Sequence, residues 1–413
     1  MKIYFLTGLF SNEDYYAILK NSKSNVQNAA DVLQKRYLDG FCDLNLDKKI
    51  AVINLPFIGS YPEHFKKVFF TPTHDEIIED RYTLKNISFC NIRMLKNLSR
   101  TYKSLYYSYK AISSDRDNHT ESNETYFFIY TMHLPFLLTG FLLKQVFRDI
   151  NFVVIVPDLP EDMNAGYGFF KGVFNGLGSL SYTLTNHLDG VIVITEAMQN
   201  KFAPHLKKAV IEGMASTSDF GASSKNHRAK DRFFLYSGGL NKKFGIKNLI
   251  DSFINSNLDN VNLYICGDGP DKQYVIDAAN TYNNIKYLGL LNRKEVLDLQ
   301  QQAALLINPR TNALSFTKYS FPSKVLEYMS SGTPVLMYRL DGIPEEYYAK
   351  TYSLKDSEDN LASAMKYINS LSDAEMHNKG LEAKEFVLKY KNPLAQVNKA
   401  LQQLRKDANN LQN

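Results

Sequence analysis

Short apolar runs alternate with helical segments throughout the second half of this chain. Each run is closed by glycine, proline or a polar turn, and each connection is helical in pattern. Strands that are apolar along their whole length are covered on both faces, and helical connections make them parallel. We therefore predict a doubly wound α/β domain. The predicted strands are FFLYSGGL (233–240), VNLYICGDGP (261–270), IKYLGLL (285–291), ALLINPR (304–310) and PVLMY (334–338).

The first half shows the same alternation, so we predict a second Rossmann-like domain. A first crossover helix is expected over 25–40, ended by Gly40. The chain has 413 residues, 44% of them hydrophobic, which is enough for two domains of roughly 200 residues each. The predicted strands of this half lie within 1–10, 49–57, 126–136, 151–160 and 190–198.

The domain boundary is predicted in the polar, small-residue-rich stretch 213–231. This places the N-terminal domain at 1–212 and the C-terminal domain at 232–391. The remaining segment, 392–413, is helical in pattern after Pro393.

The segment from Lys318 to Val335 combines a turn, a short helix and a strand. Pro322 suits the helix entrance, and Ser323 is predicted to cap the first turn, so that the amides of 324–326 face an anion such as a diphosphate. Glu327, one turn later, has oxygens that can accept the hydroxyls of a ribose, while Lys324 neutralises phosphate charge. These features predict a nucleotide-sugar site.

This segment resembles the donor-binding element of retaining glycosyltransferases, in particular family 4 enzymes that build bacterial surface polysaccharides. The resemblance extends over nearly the whole chain and implies the GT-B fold, in which two Rossmann-like domains face a central cleft. It also implies that the last helix returns to the N-terminal domain.

Two departures from the family pattern concern the donor site. Tyr319 stands where family members carry a Glu, and Gly239 and Phe244 stand where they carry an Arg and a Lys. Phosphate binding is therefore expected to be distributed differently, with Lys324 and Arg310 first and Lys242 or Lys243 next. The predicted donor-binding set is Gly8, Gly238, Gly239, Lys242, Lys243, Gly267, Gly269, Gly289, Arg310, Ser323, Lys324, Val325 and Glu327.

Three of the predicted site residues lie in the N-terminal half. The resemblance implies that the loop at Gly8 approaches the donor phosphates and that His133 touches the donor sugar. Asp158 follows the run VVIVP and is predicted to face the same cleft edge. The alternatives are that His133 has a structural role, and that the Asp158 side chain hydrogen-bonds to the backbone of its own turn.

The resemblance implies transfer of a sugar from a nucleotide donor, expected to be UDP-linked, to a glycan or lipid-linked glycan with retention of configuration. The resemblance also implies that no metal and no further cofactor are needed, because the family stabilises the leaving diphosphate with helix amides and cations. The alternatives are a GT-B nucleotide-sugar epimerase, a dinucleotide-dependent oxidoreductase and a non-catalytic nucleotide-sugar-binding protein. The oxidoreductase would need G-x-G-x-x-G, of which GDGPDK (267–272) has only the first two glycines.

Charge and cysteine usage bear on location and partners. The three cysteines have no metal-binding or redox spacing, which indicates a reducing compartment, and the cytoplasm is expected. Nucleic acid is not an expected partner, because no binding motif is present. Residues 91–113 place cations among Leu and Tyr on a predicted helix, a composition typical of contact with an anionic membrane; the alternative is a solvated helix. The cations are Arg93, Lys96, Arg100, Lys103 and Lys110.

Overall fold

The computed structural model describes residues 1–24, 26–44, 49–117, 124–163, 171–215, 220, 231–313, 315–355 and 360–409. The chain forms two compact units. One comprises Met1–Ile211 with Pro393–Asn413, and the other comprises Glu212–Asn392. Most of the predicted linker, residues 216–219 and 221–230, lies outside the described residues.

The N-terminal unit is built on an eight-stranded sheet with the order β10-β9-β8-β7-β1-β2-β5-β4. All neighbouring strands are parallel except β4 and β5, and β3 pairs with β6 in a separate antiparallel ribbon. The strands are β1 (Lys2–Thr7), β2 (Ile50–Asn54), β3 (Phe69–Phe70), β4 (Glu76–Ile78), β5 (Tyr82–Asn86), β6 (Phe89–Cys90), β7 (Thr125–Tyr130), β8 (Asn151–Val156), β9 (Gly190–Val193) and β10 (Lys207–Val210).

The central strands of this sheet are buried because helices cover both faces. Phe5 of β1 is opposite Val52 of β2 and Phe128 of β7, and all three are almost fully buried. The helices of this unit are α1 (Asn12–Asn21), α2 (Asn28–Leu44), α3 (Arg93–Asp117), α4 (Leu134–Val146), α5 (Pro160–Met163), α6 (Lys171–Asn186), α7 (Glu196–Gln199) and α15 (Pro393–Asn409).

The prediction that the first crossover helix ends at Gly40 is wrong. Helix α1, which was not predicted, precedes it, and α2 continues to Leu44. Gly40 instead lies where α15 packs on α2: a Cβ atom there would be 2.6 Å from the Pro393 carbonyl oxygen and 2.6 Å from Val397 Cγ2. The glycine therefore permits a close approach of two helices and does not end one.

The C-terminal unit contains a six-stranded, fully parallel sheet with the order β13-β12-β11-β14-β15-β16. Its strands are β11 (Phe233–Ser237), β12 (Asn262–Cys266), β13 (Ile285–Gly289), β14 (Leu305–Asn308), β15 (Val335–Tyr338) and β16 (Tyr352–Leu354). Its helices are α8 (Ile246–Asn255), α9 (Lys272–Thr281), α10 (Arg293–Gln302), α11 (Ser323–Ser331), α12 (Glu345–Tyr348), α13 (Leu361–Ser370) and α14 (Asp373–Tyr390), with 3₁₀ helices at Lys242–Phe244 and Ser315–Tyr319.

Each sheet has one point at which the strand order reverses. In the N-terminal unit β1 lies between β2 and β7, and in the C-terminal unit β11 lies between β12 and β14. Loops that leave neighbouring strands at such a point run in opposite directions and open a crevice, where doubly wound sheets bind their ligands. Functional side chains are therefore expected in the two crevices.

Candidate functional site

The crevice of the C-terminal unit is a cavity of about 270 Å³ at the ends of β11 and β14. Five of the predicted donor-binding residues share its wall: Gly238, Gly239, Arg310, Ser323 and Lys324. The remaining wall is mainly aromatic and apolar. It is formed by Tyr236, Ser237, Phe244, Ile307, Asn308, Phe321, Pro322 and Tyr328.

Arg310 supplies a buried positive charge to this cavity. It is 5% exposed, and its Nε and Nη2 atoms have no hydrogen-bond partner among the described residues. The guanidinium lies 4.7 Å from the ring centre of Phe316 and 5.9 Å from that of Phe244. Burial lowers the pKa of Arg310, but an arginine remains charged at neutral pH. Buried, unsatisfied donors of this kind are typical of a site that binds an anion.

Helix α11 begins at the cavity, but its first turn differs from the prediction. Ser323 is the first helical residue and does not cap the helix, because Pro322 occupies the cap position, where no side-chain hydrogen bond is made. The Val325 amide is not directed at a ligand either, since it donates to the Pro322 carbonyl oxygen over 2.9 Å. The helix start therefore contributes through Ser323 and Lys324.

Glu327 is held by polar partners from two helices. Its Oε1 atom accepts from Lys324 Nζ at 2.7 Å and from Gln300 Nε2 at 2.7 Å, and Arg293 Nη1 lies 3.5 Å from Oε2. Burial alone would raise the pKa of the Glu327 carboxyl, but Lys324, Gln300 and Arg293 together lower it below its usual value. The carboxylate is thus ionised and oriented at neutral pH.

Gln300 was missed by the sequence analysis. It is fully buried on α10 and donates to both Ser237 Oγ (3.1 Å) and Glu327, which links the end of β11 to α11. Tyr328 reinforces the same link, because its hydroxyl accepts from the Ser237 amide at 2.9 Å. A glutamine within KEVLDLQQQA gives no local signal of such a role, since its partners are distant in the sequence.

The other residues predicted for the donor site lie outside the cavity wall. Lys242 and Lys243 are exposed on their 3₁₀ helix. Gly267 supports the wall indirectly: its φ is +140°, and a Cβ atom there would be 1.8 Å from the Gly238 carbonyl oxygen. Gly267 thereby shapes the loop that presents Gly238. Gly269 and Gly289 also have positive φ and are not part of the wall.

The crevice of the N-terminal unit is a larger cavity of about 850 Å³, and His133 and Asp158 both line it. They lie just beyond the ends of β7 and β8. His133 contacts the rings of Phe57 and Phe136 edge-on, with centroid distances of 5.5 and 5.1 Å. Its Nδ1 atom is buried and has no hydrogen-bond partner among the described residues. Burial, with Arg100 and Lys96 nearby, holds the pKa of His133 well below its usual value, so the imidazole is neutral.

Gly8 does not present a free amide at this crevice. Its N–H donates to Gln34 Oε1 at 2.7 Å, and its carbonyl accepts from the Phe57 amide at 2.9 Å. The residue is buried. The phosphate contact predicted for Gly8 therefore has no donor here, and the loop holds Phe57 in the cavity wall instead.

The structure contradicts the prediction that the cations of α3 share an exposed face. Lys96 and Arg100 are 9% and 1% exposed and point into the N-terminal cavity. The fully buried positions of the helix are otherwise serines and an isoleucine. Arg93 and Lys110 are exposed, but half of the twelve exposed positions are apolar or aromatic: Met94, Leu95, Leu98, Tyr102, Tyr106 and Tyr109.

No helix within the described ranges is both long and apolar enough to cross a membrane.

Part of the chain matches a known protein family in sequence. Residues 219–385 match the family described as glycosyl transferases group 1. This match contains both strands and the helix that form the C-terminal cavity. No protein among those with curated functions matches the chain in sequence.

Solved structures match along the whole chain. A sucrose-phosphate synthase from Thermosynechococcus elongatus is 14% identical, covers 98% of this chain and is itself covered to 99%, with a TM-score of 0.59. An α,α-trehalose 6-phosphate synthase from Burkholderia multivorans is 10% identical, with coverage of 100% and 98% and a TM-score of 0.61. A UDP-forming α,α-trehalose-phosphate synthase from Burkholderia xenovorans, in complex with glucose-6-phosphate, is 9% identical, with coverage of 98% and 100% and a TM-score of 0.60.

At these identities the structural similarity shows the fold, and the sequence match shows the domain. Residues 219–385 are a glycosyl transferases group 1 domain within a chain that has the GT-B fold.

Proposed function

We propose that this protein transfers a sugar from a nucleotide-sugar donor, most simply a UDP-sugar, to a glycan or lipid-linked glycan. The observation that carries the proposal is the unsatisfied guanidinium of Arg310 in the cavity at the strand-order reversal of the group 1 domain. A diphosphate placed there would satisfy Arg310. The choice of UDP is supported by the UDP-forming synthase among proteins of the same fold.

The cavity and the neighbouring Glu327 offer a distinct contact for each part of the donor. Gly238 and Gly239 let the diphosphate approach the backbone closely. Arg310 and Lys324 compensate its charge. The ionised Glu327 is not part of the cavity wall, but it pairs with Lys324 of that wall and would accept hydrogen bonds from the ribose hydroxyls. In this scheme Arg310 substitutes for the Lys that the family has at the position of Phe244, because its guanidinium lies 5.9 Å from the Phe244 ring.

We further propose that the reaction retains anomeric configuration and needs no metal. The cations and helix start stabilise the charge that develops on the leaving diphosphate. The acceptor attacks from the face that the diphosphate leaves, so no enzyme nucleophile is required. His133 is neutral and would form an uncharged hydrogen bond with the acceptor substrate. Asp158 would accept a hydrogen bond from a hydroxyl group of that substrate in the same cavity.

The acceptor is proposed to be presented at a membrane, in surface-polysaccharide or glycoconjugate synthesis. The support is α3, whose outward face carries Met94, Leu98 and Tyr102 at 83%, 70% and 66% exposure. An apolar helix face directed outward is typical of a membrane or protein contact. This replaces the basic face expected from the sequence as the reason for the membrane proposal.

The function is tested with purified protein, a panel of nucleotides and nucleotide sugars, and excess EDTA. UDP and one UDP-sugar should raise the melting temperature, because they bind only the folded state. Slow release of UDP should persist in EDTA, and a transfer product should keep the donor's anomeric configuration. A panel without any stabilising nucleotide would contradict the proposal. Conversion of the donor sugar without release of UDP would indicate an epimerase, and binding without any turnover would indicate a non-catalytic protein.

A further inference from the structure

The wall of the N-terminal cavity is rich in cations and poor in carboxylates. Arg93, Lys96 and Arg100 line it from one face of α3, together with His64 and His133. Asp158 is the single carboxylate among the described residues of this wall.

Lys96 is buried without an acidic partner. Its amine donates to the Ile58 carbonyl oxygen and lies 3.5 Å from Ser60 Oγ, and no carboxylate in the described part of the chain forms an ion pair with it. Burial, and then the charge of Arg100, lower the pKa of Lys96 to about 7. Transfer of an unpaired ammonium group out of water costs free energy, and no acidic side chain in the described part of the chain offsets that cost.

Arg100 is fixed more firmly and places a second positive charge beside Lys96. Its Nη1 and Nη2 atoms donate to the carbonyl oxygens of Pro56 (3.2 Å) and Leu55 (2.7 Å). Its guanidinium lies 5.0 to 5.1 Å from the ring centres of Phe57, Phe89 and Phe136. The buried Nε atom has no hydrogen-bond partner among the described residues. Neutral carbonyls and rings hold this charge in position but leave it uncompensated.

We propose that this cavity binds the phosphate group of a phosphorylated acceptor, with Lys96 as the direct ligand, Arg100 as the fixed charge behind it and Arg93 at the entrance. The inference rests on the proposed transferase function and specifies its acceptor. The cavity lies at the strand-order reversal of its own sheet, and its volume of about 850 Å³ accommodates a sugar phosphate or a lipid-linked phosphate headgroup. A phosphate oxygen would supply the acceptor atoms that Lys96 and Arg100 lack.

The test compares glucose and glucose 6-phosphate, which differ only in the phosphate, by calorimetry on the full chain. A second arm measures sedimentation with phosphatidylcholine vesicles, with or without phosphatidic acid. Glucose 6-phosphate, or the phosphatidic acid vesicles, should bind the wild type, and Lys96→Met should weaken that binding by at least about tenfold, the effect of losing one charged hydrogen bond. Arg93→Gln should weaken it less. The arm in which Lys96→Met weakens binding identifies whether the phosphate belongs to a sugar phosphate or to a lipid headgroup.

Lys103→Met is the matched control, because Lys103 is on the same helix but not in the cavity wall; it should bind like the wild type. Absence of Lys96-dependent binding in both arms would overturn the inference. UDP binding that depends on Arg310 is measured on the same samples. If Arg310-dependent UDP binding persists while Lys96-dependent binding is absent, the acceptor inference alone has failed. If UDP binding is lost while Lys96-dependent binding is intact, the proposed donor site has failed.

Discussion

At the scale of single residues, the two cavities share one property: each contains a buried cation that no carboxylate in the described part of the chain neutralises. Arg310 is that cation in the C-terminal unit, and Lys96 and Arg100 are in the N-terminal unit. Such groups reduce the stability of the fold, because only an oppositely charged partner offsets the free energy that desolvation of a charge costs. They are expected where a ligand supplies the missing charge.

Replacement of Lys96 by methionine should therefore stabilise the ligand-free protein. The pKa of Lys96 is lowered in the folded state to about 7 from 10.5. Below pH 7 the lysine is charged in both states, and the folded state bears the full cost. Between about pH 7 and 10.5 the folded lysine is neutral while the unfolded one is still charged, so the cost falls as the pH rises.

The expected gain at pH 7 is on the order of 1 to 4 kcal/mol, the range seen when buried ionic groups are replaced by apolar ones. The gain should shrink towards pH 10. Melting temperatures of wild type and Lys96→Met across this pH range measure it. A variant that melts below the wild type at pH 7, or a gain that grows with pH, would contradict the assignment of Lys96 as an uncompensated cation.

At the scale of secondary-structure elements, α3 shows what periodicity predicts and what it does not. The helix itself was predicted, but its orientation was wrong, since polarity in sequence normally indicates the solvent side. Lys96 and Arg100 point inward because the carbonyl oxygens of 55, 56 and 58 accept hydrogen bonds from them and aromatic rings surround Arg100. Those partners belong to another loop, so no local pattern shows them. Gly40 was misinterpreted for the same reason, because Pro393 lies far away in the sequence.

The outward face of α3 should bind membranes through apolar contact. Each exposed Met, Leu or Tyr that enters the interface contributes up to about 1.5 to 3 kcal/mol, so sedimentation with anionic vesicles should persist at high salt. The triple variant Met94→Ser, Leu98→Ser, Tyr102→Ser should stay in the supernatant and keep its affinity for UDP. A wild type that does not sediment even at low salt would contradict the membrane proposal, and full release by salt would indicate that exposed cations dominate.

At the scale of the whole molecule, the alternation of apolar runs and helices was sufficient to predict two doubly wound parallel sheets. The central runs are buried on both faces, whereas the run that forms the edge strand β13 is only partly buried. The glycine-closed ends of the runs coincide with the ends of strands such as β11 and β12. The antiparallel edge strand β4 and helix α1 were not predicted, because they are short and depend on packing. Within the C-terminal site, Arg310 and Ser323 were predicted from their places at element ends, whereas Gln300 was not, because its hydrogen bonds join distant segments.

The central claim is that Arg310 and the start of α11 bind the diphosphate of a nucleotide sugar, and calorimetry with UDP and uridine tests it most directly. Arg310→Met should weaken UDP binding by about 1.5 to 3 kcal/mol, the value of a charged hydrogen bond, and should change uridine binding little. Arg232→Met is the matched control, because Arg232 precedes β11 at the opposite end of the strand and pairs with Asp373. Unchanged UDP affinity in a folded Arg310→Met variant, or equal losses for UDP and uridine, would contradict the account.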